Sequence, residues 1–102
     1  MGKEVKQDNG KRRLDLLPWD AIDKVGDILT YGIKKYPKPK ENWRVNSHKK
    51  DIKRYEAALT RHLSEHMQGN KLDEESGMEH MAHIATNALF ILALVEKYDA
   101  SK

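Results

Sequence analysis

The chain has no cysteine among its 102 residues, and that absence removes disulfides, thiolate metal sites and cysteine nucleophiles at once. Any metal must therefore be held by histidines or carboxylates. A long hydrophobic run is also missing. The longest, residues 88–95, has eight residues, too short for a hydrocarbon core of about 30 Å. The first residues carry charge but no apolar segment of the kind a secretory signal needs. These absences predict a cytoplasmic protein with no membrane partner. Charge of one sign is not in large excess either: 19 basic against 16 acidic residues give a net charge of +3. A nucleic-acid footprint is denser than this, so no nucleic-acid partner is expected. Internal repeats, strand-like alternation and low-complexity tracts are all absent.

What remains is helical periodicity in a chain of one-domain length. Residues 1–13 are mostly charged or amide-bearing and bury too little apolar area to offset the entropy of ordering, which predicts a flexible N-terminal arm. A first helix should open near Pro18 and bury Ile22, Val25, Leu29 and Ile33, with Pro37 and Pro39 ending it. Residues 37–46 read as a loop whose Asn42-Trp43 offers either a lid over the core or a stacking surface. The second helix should be capped by Asn46 or Ser47, bury Ile52, Tyr55, Leu59 and Leu63, carry Arg54, Arg61 and Glu65 on a charged seam, and stop at Gly69.

Ser76-Gly77-Met78-Glu79 matches a capping box that would open a third helix reaching about Tyr98. Met81, Ile84, Ala85, Ala88, Leu92 and Val95 form its expected core side. Leu89, Phe90, Ile91 and Leu94 make the second half apolar nearly all round, which predicts a subunit interface. The fold class is therefore all-α, a compact bundle of three main helices with a flexible arm, completed by self-association.

The chemistry-bearing residues concentrate between Arg61 and Asn87. His80, His83 and Asn87 lie at spacings of three and four and so share one face of the third helix. A single interior histidine is ordinarily a satisfied core group. Three polar groups in line are costly unless each is paired, so a ligand or a polar network explains them better. His62-Leu63-Ser64-Glu65-His66 matches the inverted zinc-protease pattern, but that motif needs a third ligand from a larger fold, and His66 leans toward the apolar stripe. Asp73 and Glu75 are positioned to reach a divalent cation, although acidic residues at a helix start also complement its dipole. Arg61 offers the forked donors suited to phosphate, and Lys35 ends the first helix with a charge that can steer an anion.

Taken in order, Gly10-Lys11-x-Arg13-Leu14-Asp15-Leu16-Leu17-Pro18, Tyr31-Gly32-x-Lys34-Lys35-Tyr36, Asn42-Trp43, Arg61-His62-Leu63 and Asp73-x-Glu75-Ser76-Gly77-x-x-His80-x-Ala82-His83 with Asn87 and Phe90 resemble the phage dATP/dGTP diphosphohydrolase N-terminal domain family, the MazZ-like group related to the MazG-type all-alpha nucleotide pyrophosphohydrolases. The resemblance covers about residues 10 to 95. It implies that residues 14–102 form a single helical nucleotide-binding domain, a homo-oligomer hydrolysing a purine deoxynucleoside triphosphate to the monophosphate and pyrophosphate with Mg2+ or Mn2+, in the host cytoplasm where the gene is a phage's.

Carried over, the resemblance implies that Glu75, Asp73 and Glu65 hold metal. Lys35, Arg61, Asn42 and Trp43 would bind nucleotide. His62, Glu75, His80, His83 and Asn87 would form the catalytic group. One departure stands out. The broader group pairs E-x-x-E with E-x-x-D on adjacent helices, whereas this chain has His80-x-x-His83 where the second carboxylate pair would fall. That substitution keeps a second expectation open: a non-catalytic nucleotide or cyclic-dinucleotide binder, a phage sponge for a host signal.

Overall fold

The computed structural model describes residues 10–35, 43 and 47–99. Three main helices and no strands occur among them: α1 (Trp19–Lys35), α2 (Asp51–Met67) and α3 (His80–Asp99), preceded by a 3-10 turn over Leu14–Leu16. The all-α bundle expected from periodicity is thus the observed architecture. The antiparallel α2–α3 hairpin forms its main interface, and α1 packs against α3. Residues 1–9 of the expected arm, the loop prolines, Asn42 and Asn46 lie outside the described residues. No described helix is long and apolar enough to cross a membrane.

The start of α1 follows the sequence closely. The Pro18 carbonyl accepts from the N–H groups of Ala21 and Ile22 at 2.9 and 3.0 Å, and the Trp19 indole N–H folds back onto the Leu14 carbonyl at 3.1 Å. The buried stripe is rotated from the expected one. Val25 and Ile28 are buried, Ile22 and Leu29 are half-buried, and Ile33 is exposed.

The start of α2 differs from expectation. Ser47 does not cap it; its hydroxyl hydrogen-bonds the Tyr55 hydroxyl in the interior. The helix begins at Asp51, whose carboxylate takes the His48 N–H at 2.8 Å while the His48 carbonyl accepts from the Asp51 N–H at 2.8 Å. Only the carboxylate half resembles a capping box, since the second contact is a backbone turn bond and no side chain caps the helix. Its far end behaves as read: Gly69 has φ +93°, Asn70 N–H reaches the Glu65 carbonyl at 3.0 Å and Gly69 N–H reaches that of His66 at 3.0 Å. This is a Schellman closure, and it needs a residue that tolerates the left-handed region.

The capping box expected at Ser76 and Glu79 does not form, and α3 begins at His80. Residues 71–80 instead make a tight loop. The Asp73 N–H donates to the Met78 carbonyl and the His80 N–H to the Lys71 carbonyl, both at 2.8 Å, around an antiparallel bridge between Leu72 and Glu79. Gly77 turns that loop at φ +74°. The Glu79 carboxylate is drawn to Lys24 of α1 at 2.9 Å.

The core face of α3 is also a correction. Met81, Ala85, Ala88 and Leu92 point outward, with Leu92 63% exposed, and the buried positions are His80, Ala82, Thr86, Asn87 and Leu94. The face chosen for the interior is the one carrying the polar line, flanked by half-buried His83, Phe90 and Ile91. On α2, likewise, His62 is buried and Leu63 is 41% exposed.

Candidate functional site

The Schellman closure at Gly69 and the bridge at Leu72 return the chain sharply, so the last turns of α2 face the first turns of α3 across residues 71–80. His62 from α2 and His80 from α3 meet there with Nδ1···Nδ1 at 2.8 Å. Both are almost wholly buried, at 6% and 5% exposure. At that distance one ring donates and the other accepts, so at most one of the facing nitrogens carries the proton. His83, one turn further along α3, lays its ring flat against that of His62, with centroids 4.4 Å apart and planes 3° from parallel.

The loop supplies the anionic part. The Asp73 carboxylate accepts the Ser76 N–H at 2.8 Å, and the Ser76 hydroxyl lies 2.7 Å from His83 Nε2. His83 Nε2 is 3.9 Å from the same Asp73 oxygen. Burial pushes the Asp73 carboxyl up, but the Ser76 N–H and hydroxyl and the neighbouring imidazoles outweigh it and hold it below its ordinary value. Burial is the main cause of the opposite shift at the histidines. It presses His62 down to about 4, helped by His83 and Arg61 and opposed by Asp73, and it lowers His83 despite Asp73. Near neutral pH both are uncharged acceptors.

Donor atoms of His62, Asp73 and His80 all lie within 4.8 Å of one another, a possible three-residue metal site. This set overlaps the ligands implied by the resemblance only at Asp73. Glu75 is exposed and bound by Lys35 and, at 3.2 Å, by the Tyr31 hydroxyl; Lys35 holds its carboxyl below the ordinary range. Glu65 accepts from the Asn70 amide at 2.8 Å. Magnesium favours an oxygen-rich octahedral set, and two imidazoles with one carboxylate do not fit that preference.

The remaining expected residues are distributed around the cluster. Arg61 is exposed, makes no ion pair among the described residues, and is close enough for its charge to be felt at both His62 and His83. Asn87 is buried and donates to the His83 carbonyl at 2.9 Å, bracing the turn that carries that imidazole. Trp43 stacks on Phe90 at 4.5 Å, the packing use of the two read from the sequence. In the zinc-protease pattern, His62 is buried and His66 exposed, so the two histidines do not share a site.

Sequence reasoning missed two members. Ser76 was absorbed by its capping pattern, and its hydroxyl is what joins Asp73 to His83. Tyr31 entered only as part of the family resemblance, with no role of its own, and its contact with Glu75 is 44 residues away in sequence. A shallow cavity of about 240 Å³ lies to one side, lined by Lys24, Asp27, Leu72, Gly77, Met78, Glu79 and Ala82. It contains none of the cluster residues and is smaller than a typical ligand pocket of about 300–1,000 Å³.

A buried imidazole pair beside a fixed carboxylate offers donor atoms for a metal ion. The family model for "dATP/dGTP diphosphohydrolase, N-terminal" matches residues 1–101. The chain belongs to that family. One relative, named dATP/dGTP diphosphohydrolase, from Salmonella phage PMBT28, is 32% identical over 97 residues, 95% of this chain and 31% of the relative. The chain thus spans about a third of the length of that family member. No solved structure is significantly similar to it.

Proposed function

We propose that this domain binds a purine deoxynucleoside triphosphate, dATP or dGTP, with its phosphates toward His62, His80, His83 and Asp73, and hydrolyses it to the monophosphate and pyrophosphate. The supporting observation is the convergence of those four side chains from α2, α3 and the connecting loop beside Arg61, in a chain whose relative carries that enzymatic name. Arg61 and Lys35 contact phosphate oxygens. Uncharged His83 accepts a hydrogen bond from the attacking water and takes its proton as the water oxygen adds to the α-phosphorus and the α–β phosphoanhydride bond breaks to release pyrophosphate, while Asp73 stabilises the imidazolium so formed. His62 and His80 would hold the ion. Asn87 and Ser76 hold His83 in position. Glu75 sits at the rim, where an arriving triphosphate competes with it for Lys35. Asn42 is the candidate for contact with the base, Trp43 being engaged in packing against Phe90.

A divalent ion supplies charge neutralisation on the phosphates when bound. Of the two ions the resemblance implies, the His62, His80 and Asp73 donors suit manganese better than magnesium. The outward residues Met81, Leu89 and Leu92 provide the face for self-association, whose check is the molar mass by light scattering during gel filtration.

Incubating the protein with each dNTP and Mn2+ or Mg2+, and resolving products chromatographically, tests the reading. Monophosphate and pyrophosphate in equal amounts from dATP or dGTP, lost in Asp73→Asn, are expected; intact nucleotide and no binding overturn it. Tight binding with the ligand recovered unchanged after denaturation establishes the sponge reading instead. That reading is favoured by one observation: Glu65 and Glu75 are engaged away from the histidine cluster, so paired carboxylates of the pyrophosphohydrolase kind do not meet there.

A further inference from the structure

We propose that His62, His80 and Asp73 form a three-ligand site for a divalent transition ion of the manganese-to-zinc series, and that this site discriminates against magnesium. The inference deepens the functional reading above, resting on it only for the use to which the ion is put. Three donors on three separate segments, the body of α2, the first residue of α3 and the intervening loop, place their ligand atoms within 4.8 Å of one another. Tetrahedral ligands about 2.1 Å from an ion are separated by about 3.4 Å. The 4.8 Å upper bound on the separation of these three donors is close to that spacing.

The imidazole pair carries the argument further. With Nδ1···Nδ1 at 2.8 Å and both rings nearly sealed from solvent, the pair satisfies these two nitrogens with a single shared proton. An ion satisfies both lone pairs together and opposes the neighbouring Asp73 charge. Asp73 is already fixed from behind by the Ser76 N–H at 2.8 Å, and Ser76 is itself anchored by its hydroxyl 2.7 Å from His83 Nε2. This backing is of the kind that orients metal-ligating carboxylates elsewhere. Three protein donors leave a position for water or a phosphate oxygen.

Selectivity follows from donor type. Imidazole nitrogen suits zinc, nickel, cobalt and, more weakly, manganese, whereas magnesium takes oxygen ligands and dehydrates reluctantly. The nearby carboxylates of Glu75 and Glu79 are each held by a lysine, so the described residues provide no competing oxygen-rich set at this position.

The test uses the untagged full chain stripped with EDTA and titrated with Co2+, following the visible absorption that nitrogen-coordinated cobalt acquires. One ion per chain, displaced by Zn2+ and undisturbed by a large excess of Mg2+, is expected. Ser76→Ala, which removes only the backing hydroxyl, weakens binding about 10–100-fold, and Asp73→Asn and His80→Asn weaken it more with the helical circular dichroism retained. His48→Gln and His66→Gln leave it unchanged. Displacement by stoichiometric Mg2+, absence of the cobalt spectrum, or affinity lost in the His48 and His66 variants overturns the site. If His80→Asn does not fold, Asp73→Asn and Ser76→Ala decide. No nucleotide enters this measurement, so a bound ion without dNTP turnover sinks the functional reading alone, and turnover with magnesium but no cobalt site sinks this one alone.

Discussion

The two ends of the α2–α3 hairpin are built on the same plan from different materials. Away from the connecting loop, Phe90 stacks on Trp43 at 4.5 Å and tilts against Tyr55 at 5.0 Å, above Leu94 at 4% exposure. Next to the loop, His62 and His83 stack at 4.4 Å. The stacking distances are alike, but each small imidazole brings two nitrogens that need partners, whereas the larger rings of the aromatic end bring more apolar area and fewer polar atoms. One end can therefore be judged mainly by area, with the buried Ser47–Tyr55 hydroxyl pair as its polar element. The other depends on every hydrogen bond being made, which is a poor way to gain stability and a good way to fix groups for chemistry.

The largest test of that division is Phe90→Ala. Removing the ring shared by Trp43 and Tyr55 should destabilise by about 3 kcal/mol, at the low end for such truncations because Phe90 is half-buried. The measurement is the urea midpoint, and nucleotide turnover per folded molecule should not change. A loss of turnover without a shift in the midpoint would reverse the assignment of the two ends.

Ser47→Ala comes next. It strands the Tyr55 hydroxyl, buried with Ser47 among the rings, and should cost about 1–3 kcal/mol. Adding Tyr55→Phe should recover most of it, since the second change removes the unsatisfied group. No recovery would show that Ser47 acts through packing instead.

Rebuilding the polar end in apolar material gives a smaller change of opposite sign. His62→Phe with His80→Leu should leave stability at or up to ~1 kcal/mol above wild type, as replacing buried polar pairs often does. It should abolish cobalt binding and turnover. A strongly destabilised double variant would mean that the histidines hold the hairpin together.

This contrast also explains what could be read in advance. Helix number, the Pro18 start and the Gly69 stop depend on local chemistry, so Trp19–Lys35 and the end of Asp51–Met67 matched the pattern. Which face of α3 turns inward is a tertiary choice. Hydropathy favoured Met81, Ala85 and Leu92, whereas the interior took His80, Thr86 and Asn87 because their partners wait on α2, in the loop and on α3's own carbonyls. Ser76 misled for a related reason: serine, glycine and glutamate in capping order satisfy a local rule, but Lys24 draws Glu79 away and His83 claims the Ser76 hydroxyl. The resemblance groups His62, His80 and His83 with Glu75 and Asn87, and places Asp73 with Glu75 and Glu65. The division of the histidines and Asp73 from Glu65 and Glu75 was not legible, since that depends on contacts with Asn70 and Lys35 that spacing does not encode.

The most graded effect is on acid stability of the metal-free protein. Burial holds His62 at about 4 in the folded chain, below its ordinary 6.5. Between those values the unfolded chain binds the additional proton, so stability rises with pH across that window. The contribution is complete above about pH 6.5 and disappears as pH falls through about 4; lowered His83 adds to the same slope. Urea midpoints should therefore be level between neutral and mildly alkaline pH and fall steadily on the acid side. His62→Phe should flatten that fall without removing it, because His83 still titrates. The aromatic-end variant Ser47→Ala should shift the whole curve downward and leave its slope unchanged. A slope untouched by His62→Phe would show that the acid sensitivity lies outside the imidazole cluster, and the two ends would then not differ in the way their chemistry requires.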